Sequence, residues 1–337
     1  MRAVVIDKPG RVRVTEVPDP TPAAGQVVVE VAACGVCGTD LHILDGEFPP
    51  SPYPLIPGHE FAGTIAASDD PALPVGIRVA VDPSLYCGRC EYCRIGRGNL
   101  CADWNAVGDT VDGAFAQYVA VPATNVHRLP DSVPDFRTAA MIEPLSCAVH
   151  GVDLLGPVLG KRVLVIGSGT MGLLIAQLLG RAGASEVAVV DRAGERLTIA
   201  QALGFTSTAT SVGELAGGAR GFDIAVDATG APAAIASGLD ALRRGGTLLV
   251  FGVADAEAVV PVSPFRIYND EIRILGSMAV LNSYAPAVDL IAAGAVDVAP
   301  LLGDAYPLDG YTEAVDAVRT GATGAGPKIH VLPNAEA

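Results

Sequence analysis

Four cysteines, Cys87, Cys90, Cys93 and Cys101, lie within fifteen residues, separated by two, two and seven positions. Thiolates are soft ligands, and four of them complete the tetrahedron that Zn²⁺ prefers, so this loop would hold a closed, structural ion. Gly88, Gly96 and Gly98 supply the bends needed to wrap it. Iron–sulfur clusters also take four cysteines, but at other spacings. Three more cysteines, Cys34, Cys37 and Cys147, bring the total to seven, an odd number that suits a disulfide framework poorly. Further candidate ligands sit in three separated segments. These are Gly35-Val36-Cys37-Gly38-Thr39-Asp40-Leu41-His42, Pro57-Gly58-His59-Glu60 and Glu143-Pro144-Leu145-Ser146-Cys147.

A second kind of chemistry is written at Gly167-Ser168-Gly169-Thr170-Met171-Gly172, a GxGxxG. Its context gives it force: a strand ends at Ile166, a helix begins within the motif, and Asp191 follows nineteen residues after Gly172. Gly167 permits the tight turn, Gly169 lets backbone approach a pyrophosphate, and Gly172 lets helix and strand pack closely. The pyrophosphate would rest on free N–H groups at the helix start, beside Thr170 and Met171. A carboxylate at Asp191 accepts from ribose hydroxyls and repels a 2′-phosphate, which favours NAD over NADP. Arg192 and Arg196 could approach a phosphate instead. Gly252 and Val253, where a later strand ends, complete the candidate cofactor contacts.

These residues need two different scaffolds. Residues 1–148 are rich in Pro and Gly, with short β-type runs at Val27 to Val31, Arg78 to Val81 and Tyr118 to Val121, predicting an irregular β domain. From about Leu155 apolar strands alternate with helices: Arg162 to Ile166, a helix through Gly172 to Arg181, Glu186 to Asp191, and a helix over Arg192 to Leu203. Phe222 to Asp227, Thr247 to Gly252 and Glu271 to Gly276 continue the series. Such alternation predicts a doubly wound parallel sheet over residues 149–286. A helix at Ala287 to Ala293 and a strand at Lys328 to Leu332 are expected to return residues 287–337 to the first domain. The fold class is thus α/β, a β-rich catalytic domain joined to a Rossmann domain.

Half of the 337 residues are hydrophobic and 18% are charged, as in a packed globular protein. The net charge of −15 argues against nucleic acid or anionic membrane as a partner. No apolar run approaches the ~20 residues of a membrane span, and the opening Met1 to Asp7 reads as a strand, so a cytoplasmic protein is expected.

Taken together and in this order, the GxCGTDxH, GHE, four-cysteine, EPL and GxGxxG segments resemble the zinc-containing medium-chain alcohol/polyol dehydrogenase family over essentially the whole chain. The resemblance implies a GroES-like first domain and a zinc-dependent, NAD-linked oxidation of a secondary alcohol to a ketone. It also implies a catalytic zinc on Cys37, His59 and a carboxylate from Glu60 or Glu143, with one position open, and Thr39 and His42 relaying the alcohol proton to solvent. Cys34 and Cys147 then read as packing residues. Assembly as a homotetramer or homodimer, through a strand near Glu271 to Met278, is implied by the same analogy.

The substrate is less legible. Glu143-Pro144-Leu145-Ser146 looks like sorbitol, xylitol and arabinitol dehydrogenases, whereas Gly38-Thr39-Asp40-Leu41-His42-Ile43 is equally similar to L-threonine 3-dehydrogenases. Ala279-Val280 stand where sorbitol enzymes carry Arg-Tyr, removing donors for polyol hydroxyls. A ketone reductase would use the same residues in reverse, and a non-enzymatic zinc and nucleotide binder would be expected to have lost them. Metal analysis should find two zinc ions per chain, falling to one in Cys37→Ser, which should remain folded without NAD-linked alcohol oxidation. Full turnover in Cys37→Ser would displace the catalytic centre from these segments.

Overall fold

The computed structural model describes residues 1–48, 50–215 and 220–335. The chain divides into two units, one formed by Met1–Ser146 with Val280–Ala337 and the other by Cys147–Ala279. The division thus falls after Ser146 and Ala279, where the sequence suggested 148 and 286.

The first unit opens with an antiparallel pair, β1 (Arg2–Lys8) and β2 (Arg11–Glu16). Strand β3 (Gln26–Gly35) is followed by helix α1 (Gly38–Asp45), then by β4 (Glu60–Ser68) and β5 (Arg78–Val81). A small lobe follows, with β6 (Ser84–Leu85), the single turn α2 (Glu91–Arg94) and β7 (Asn105–Ala106), which pairs with β6. Then come β8 (Tyr118–Pro122), β9 (Val126–Arg128), α3 (Phe136–Ala140) and α4 (Ile142–Leu155), which runs past the division at Ser146. Asp135 caps α3 by accepting from Thr138 N at 2.8 Å, satisfying one of the free amides of a helix start.

In the second unit, β10 (Arg162–Ile166), α5 (Thr170–Arg181), β11 (Glu186–Val190), α6 (Leu197–Ala202), β12 (Ser207–Ala209), β13 (Phe222–Asp227), α7 (Pro232–Ala241), β14 (Leu242–Val250), α8 (Pro264–Asp270) and β15 (Arg273–Gly276) alternate. The six strands form one parallel sheet in the order β12-β11-β10-β13-β14-β15, with the order reversing at β10. Strand β13 is buried at every position and β10 at all but its first, the mark of a sheet covered on both faces. The helix expected over Arg192 to Leu203 starts later: Gly194–Arg196 form a 3₁₀ turn, and α6 begins only at Leu197.

The chain then returns to the first unit with α9 (Tyr284–Ala292), β16 (Leu302–Pro307), α10 (Tyr311–Thr320) and β17 (Lys328–Leu332). Strand β17 lies parallel to β16 and pairs antiparallel with β3, giving the sheet order β16-β17-β3-β4-β5-β9, with β8 also on β3. The core beneath it joins Val29, Phe61, Val79 and Phe115 to Tyr311 and Val315 of α10, with the rings of Phe115 and Tyr311 edge to face at 4.9 Å. No helix among the described residues is long and apolar enough to cross a membrane.

Candidate active site and metal centres

Strands β3 and β4 pair so that Gly35 stands opposite Glu60. Two residues past Gly35, Cys37 forms the N-cap of α1, its N–H donating to Asp40 Oδ2 at 2.8 Å. One residue before β4 sits His59. The hairpin register therefore brings Cys37, His59 and Glu60 together, with one ligand atom from each lying within 4.8 Å of the others. His59 and Glu60 are buried. Gly58 takes φ +103, and a Cβ there would fall 2.8 Å from Phe115 N, so only glycine lets the chain enter β4 this way.

His59 Nδ1 faces Asp109 Oδ1 at 2.9 Å and Asp40 Oδ1 at 4.0 Å. With Nδ1 turned towards these carboxylates, Nε2 is the nitrogen that could reach an ion. Burial opposes a charged imidazole, but Asp109 and Cys37 outweigh it and hold the His59 pKa well above its ordinary value. Burial raises Asp40 to about 7. Lys328 Nζ donates to both Glu60 oxygens, at 2.6 and 2.8 Å, and to Val36 O at 3.1 Å. Its pKa is pushed up to about 12, the opposing effect of burial being overcome by Glu60 and Cys37. A half-buried thiol converging with a buried imidazole and a buried carboxylate forms a mixed donor set of the kind zinc takes in open, catalytic sites.

Glu143, in the first turn of α4, is buried and its charge acts on Lys328, but it does not belong to that three-residue grouping. Thr39 Oγ1 lies 3.7 Å from Cys37 Sγ, and three residues on, His42 places Nδ1 2.9 Å from Glu47 Oε2 in a partly exposed pair. Asp109 and Lys328 did not emerge from the sequence. Their partners are fifty or more residues away, and no spacing rule announces either.

The other four cysteines, Cys87, Cys90, Cys93 and Cys101, also bring their sulfurs within 4.8 Å of one another. Backbone amides point at these sulfurs: Cys87 N at Cys101 Sγ (3.3 Å), Cys90 N at Cys87 Sγ (3.3 Å) and Cys93 N at Cys90 Sγ (3.5 Å). The N–H groups of Cys93 and Ala102 bring Cys90 down to about 6. Burial, then the neighbouring Cys90 and Cys101, drives Cys93 up to about 12. A dication among the four would relieve this opposition by stabilising every thiolate, so the set fits zinc.

In the second unit Gly167 takes φ +105 directly after β10, and Gly169 caps α5 with open space where a Cβ would stand. A Cβ on Gly172 would fall 1.8 Å from Gly167 O, so the loop closes only over glycine. Met171 lies in the first turn of α5. Asp191, one residue past β11, accepts from Ser168 N (2.8 Å) and Oγ (2.9 Å) through one oxygen and from Ala193 N (2.9 Å) through the other. Arg196 is exposed at the end of its 3₁₀ turn. Gly252 packs against the Thr229-Gly230 loop, a Cβ there lying 2.1 Å from Gly230 N, and Val253 is exposed. Asp227, which the sequence did not mark, ties that loop by accepting from Thr229 N, Thr229 Oγ1 and Gly230 N. All these residues stand at the carboxyl ends of β10, β11, β13 and β14, around the strand at which the order reverses, where parallel sheets bind nucleotides.

The alcohol dehydrogenase GroES-like domain family matches residues 23–131, and the zinc-binding dehydrogenase family matches residues 170–293. D-arabinitol dehydrogenase 1 of Uromyces fabae is 36% identical over 308 residues, covering 88% of this chain and 87% of that protein. D-altritol 5-dehydrogenase of Agrobacterium fabrum is 34% identical over 308 residues, covering 90% and 91%. Among solved structures, a zinc-binding dehydrogenase from Sinorhizobium meliloti 1021 bound to NADP superposes with a TM-score of 0.92 at 35% identity, over 98% of this chain and 99% of that one.

Replacing Gly172 by alanine should weaken nucleotide binding at least tenfold by equilibrium titration, because its new methyl group would displace the Gly167 carbonyl. Both metal sites should remain filled. Wild-type nucleotide affinity in Gly172→Ala would show that the glycine loop does not receive the pyrophosphate.

Proposed function

This chain belongs to the zinc-containing medium-chain alcohol/polyol dehydrogenase family, and on that premise we propose that it oxidises a polyol or sugar alcohol to a ketone, reducing NAD. The observation that carries the reading is the convergence of half-buried Cys37 with buried His59 and Glu60. Zinc bound there would supply Lewis acidity that lowers the pKa of an alcohol, and NAD would accept its hydride. Cys37, His59 and Glu60 hold the metal in this reading, and Asp109 orients His59. Glu143 stays outside the grouping as the carboxylate available for exchange. Thr39, beside Cys37, hydrogen-bonds the alcohol oxygen and passes on its own hydroxyl proton as it takes the alcohol's. His42, one turn along α1 and partnered by Glu47, delivers it to solvent. Cys87, Cys90, Cys93 and Cys101 hold a structural zinc.

NAD binds through Gly167, Gly169, Met171, Gly172, Gly252 and Val253, with Asp191 at the ribose. Three hydrogen bonds hold the Asp191 carboxylate just past β11, and its negative charge at the ribose would repel a 2′-phosphate. Arg196 lies exposed in the loop beyond. The substrate class rests on the arabinitol and altritol dehydrogenases that the chain resembles. Val280 cannot stand in for a polyol-binding donor, since its side chain is a hydrocarbon and is buried. The hydroxyl contacts of this enzyme must therefore differ from those of sorbitol enzymes.

Assembly as a homodimer or homotetramer through β15 fits its place at the sheet edge, where Ile274, Met278, Phe265 and Tyr268 are exposed. A cytoplasmic location suits thiolate-rich metal sites, which an oxidising compartment would put at risk. Light scattering should give at least twice the monomer mass, falling to that of the monomer in Ile274→Lys. A monomeric wild type would remove the edge-strand interface. The decisive screen offers polyols of graded chain length, simple secondary alcohols and L-threonine, each with NAD and NADP. Polyol turnover with NAD should dominate. Preference for L-threonine would replace the polyol reading, and preference for NADP would overturn the role of Asp191.

A further inference from the structure

We infer that Lys328 is a positioning residue of the catalytic metal centre, fixing the Glu60 carboxylate against Cys37 and His59. The inference rests on the reading that these three residues hold zinc. Lys328 is 5% exposed, and its ammonium spends its donors on Glu60 Oε1, Glu60 Oε2 and the carbonyl of Val36. It therefore bridges both ligand-bearing segments, one through the residue before Cys37 and the other through Glu60 itself. Backbone pairing reinforces this, since Val36 N donates to Ile329 O at 2.9 Å.

The bridge is possible because of what lies between its ends. In the sheet, β3 runs between β17 and β4, so Lys328 must reach across β3 to touch Glu60. Gly35 is the β3 residue in register with both Glu60 and His330. A Cβ at Gly35 would lie 2.2 Å from Glu60 Oε2. Glycine thus leaves the space that the carboxylate occupies and over which the ion pair forms.

A lysine of purely structural use would need one partner to offset its burial, and any buried anion would serve. Here both carboxylate oxygens are held at once, so the ammonium controls how many of them can reach a cation. The other charged or titratable groups acting on this pair are Cys37 and Glu143, with His330 behind Lys328 on β17 and Arg137 beyond it. Among the described residues, Lys328 alone donates a side-chain hydrogen bond to Glu60.

Cobalt(II) substitution tests the assignment, because d–d absorption reports ligand number and geometry without turnover. The Cys37→Ser protein, keeping only the four-cysteine metal, supplies the baseline to be subtracted. In Lys328→Met and Lys328→Gln, both Glu60 oxygens become available to the ion, so the catalytic-site d–d bands should lose intensity and shift as coordination expands. Lys328→Arg, which keeps a charged donor, should restore the wild-type spectrum. Retention of the four-cysteine metal and the wild-type circular dichroism spectrum certify folding of each variant. Spectra of Lys328→Met and Lys328→Gln that superimpose on wild type would overturn the positioning role. Should wild type bind only one metal ion per chain, the zinc reading of Cys37, His59 and Glu60 itself would fall, and the role of Lys328 with it.

Discussion

The antiparallel pairing of β3 with β4 is the constraint on which the rest of the catalytic unit depends. A strand pair of fixed register sets Gly35 opposite Glu60, and everything chemical follows from positions one or two residues away. A slip of one residue would turn Glu60 to the opposite face of the sheet and separate it from Cys37. The register is protected on both flanks. Val29, Val31, Phe61 and Ile65 point into the same core, and β8, β17 and β5 pair along the free edges. Glycines at 35, 58 and 63 allow backbone and carboxylate to approach more closely than any side chain would permit.

Much of this was legible in the sequence, for physical reasons that differ from site to site. The four-cysteine loop and the glycine loop are local: their ligands and turns lie within fifteen residues, so spacing alone encodes geometry. Strands Arg162–Ile166, Phe222–Asp227 and Lys328–Leu332 match their expected limits because buried parallel strands and short apolar runs announce themselves by composition. The Cys37–His59–Glu60 grouping was legible only as separate fragments, since nothing in a one-dimensional string states the register of β3 against β4. Asp109 and Lys328 were invisible for the same reason, as each acts on a partner far along the chain. The sequence also left Glu60 and Glu143 interchangeable. Both are buried, and the β3–β4 register groups Glu60, not Glu143, with Cys37 and His59.

The charge economy is local as well. A chain with net charge −15 draws no anion by its overall field, so phosphate must be met by backbone amides at the start of α5. The first unit has the converse arrangement. Cys37, Asp40, Glu60, Asp109 and Glu143 gather negative charge around one buried lysine and one histidine. Such a concentration of anionic donors is expensive in a low-dielectric interior unless cations answer it. A metal cation held there would offset part of that cost, as Lys328 does for Glu60.

The position of β17 has a consequence for how the molecule is made. The nucleotide-binding unit is inserted within the first unit, between β9 with its following helices and the α9–β17 segment. A chain emerging from the ribosome therefore presents every candidate metal-ligating side chain, then a complete parallel-sheet unit, before the strand that carries Lys328 exists. Domains fold as units during synthesis, so the inserted unit matures while the earlier sheet still lacks its closing strands. The acidic cluster of the first unit is therefore synthesised long before the lysine that answers it.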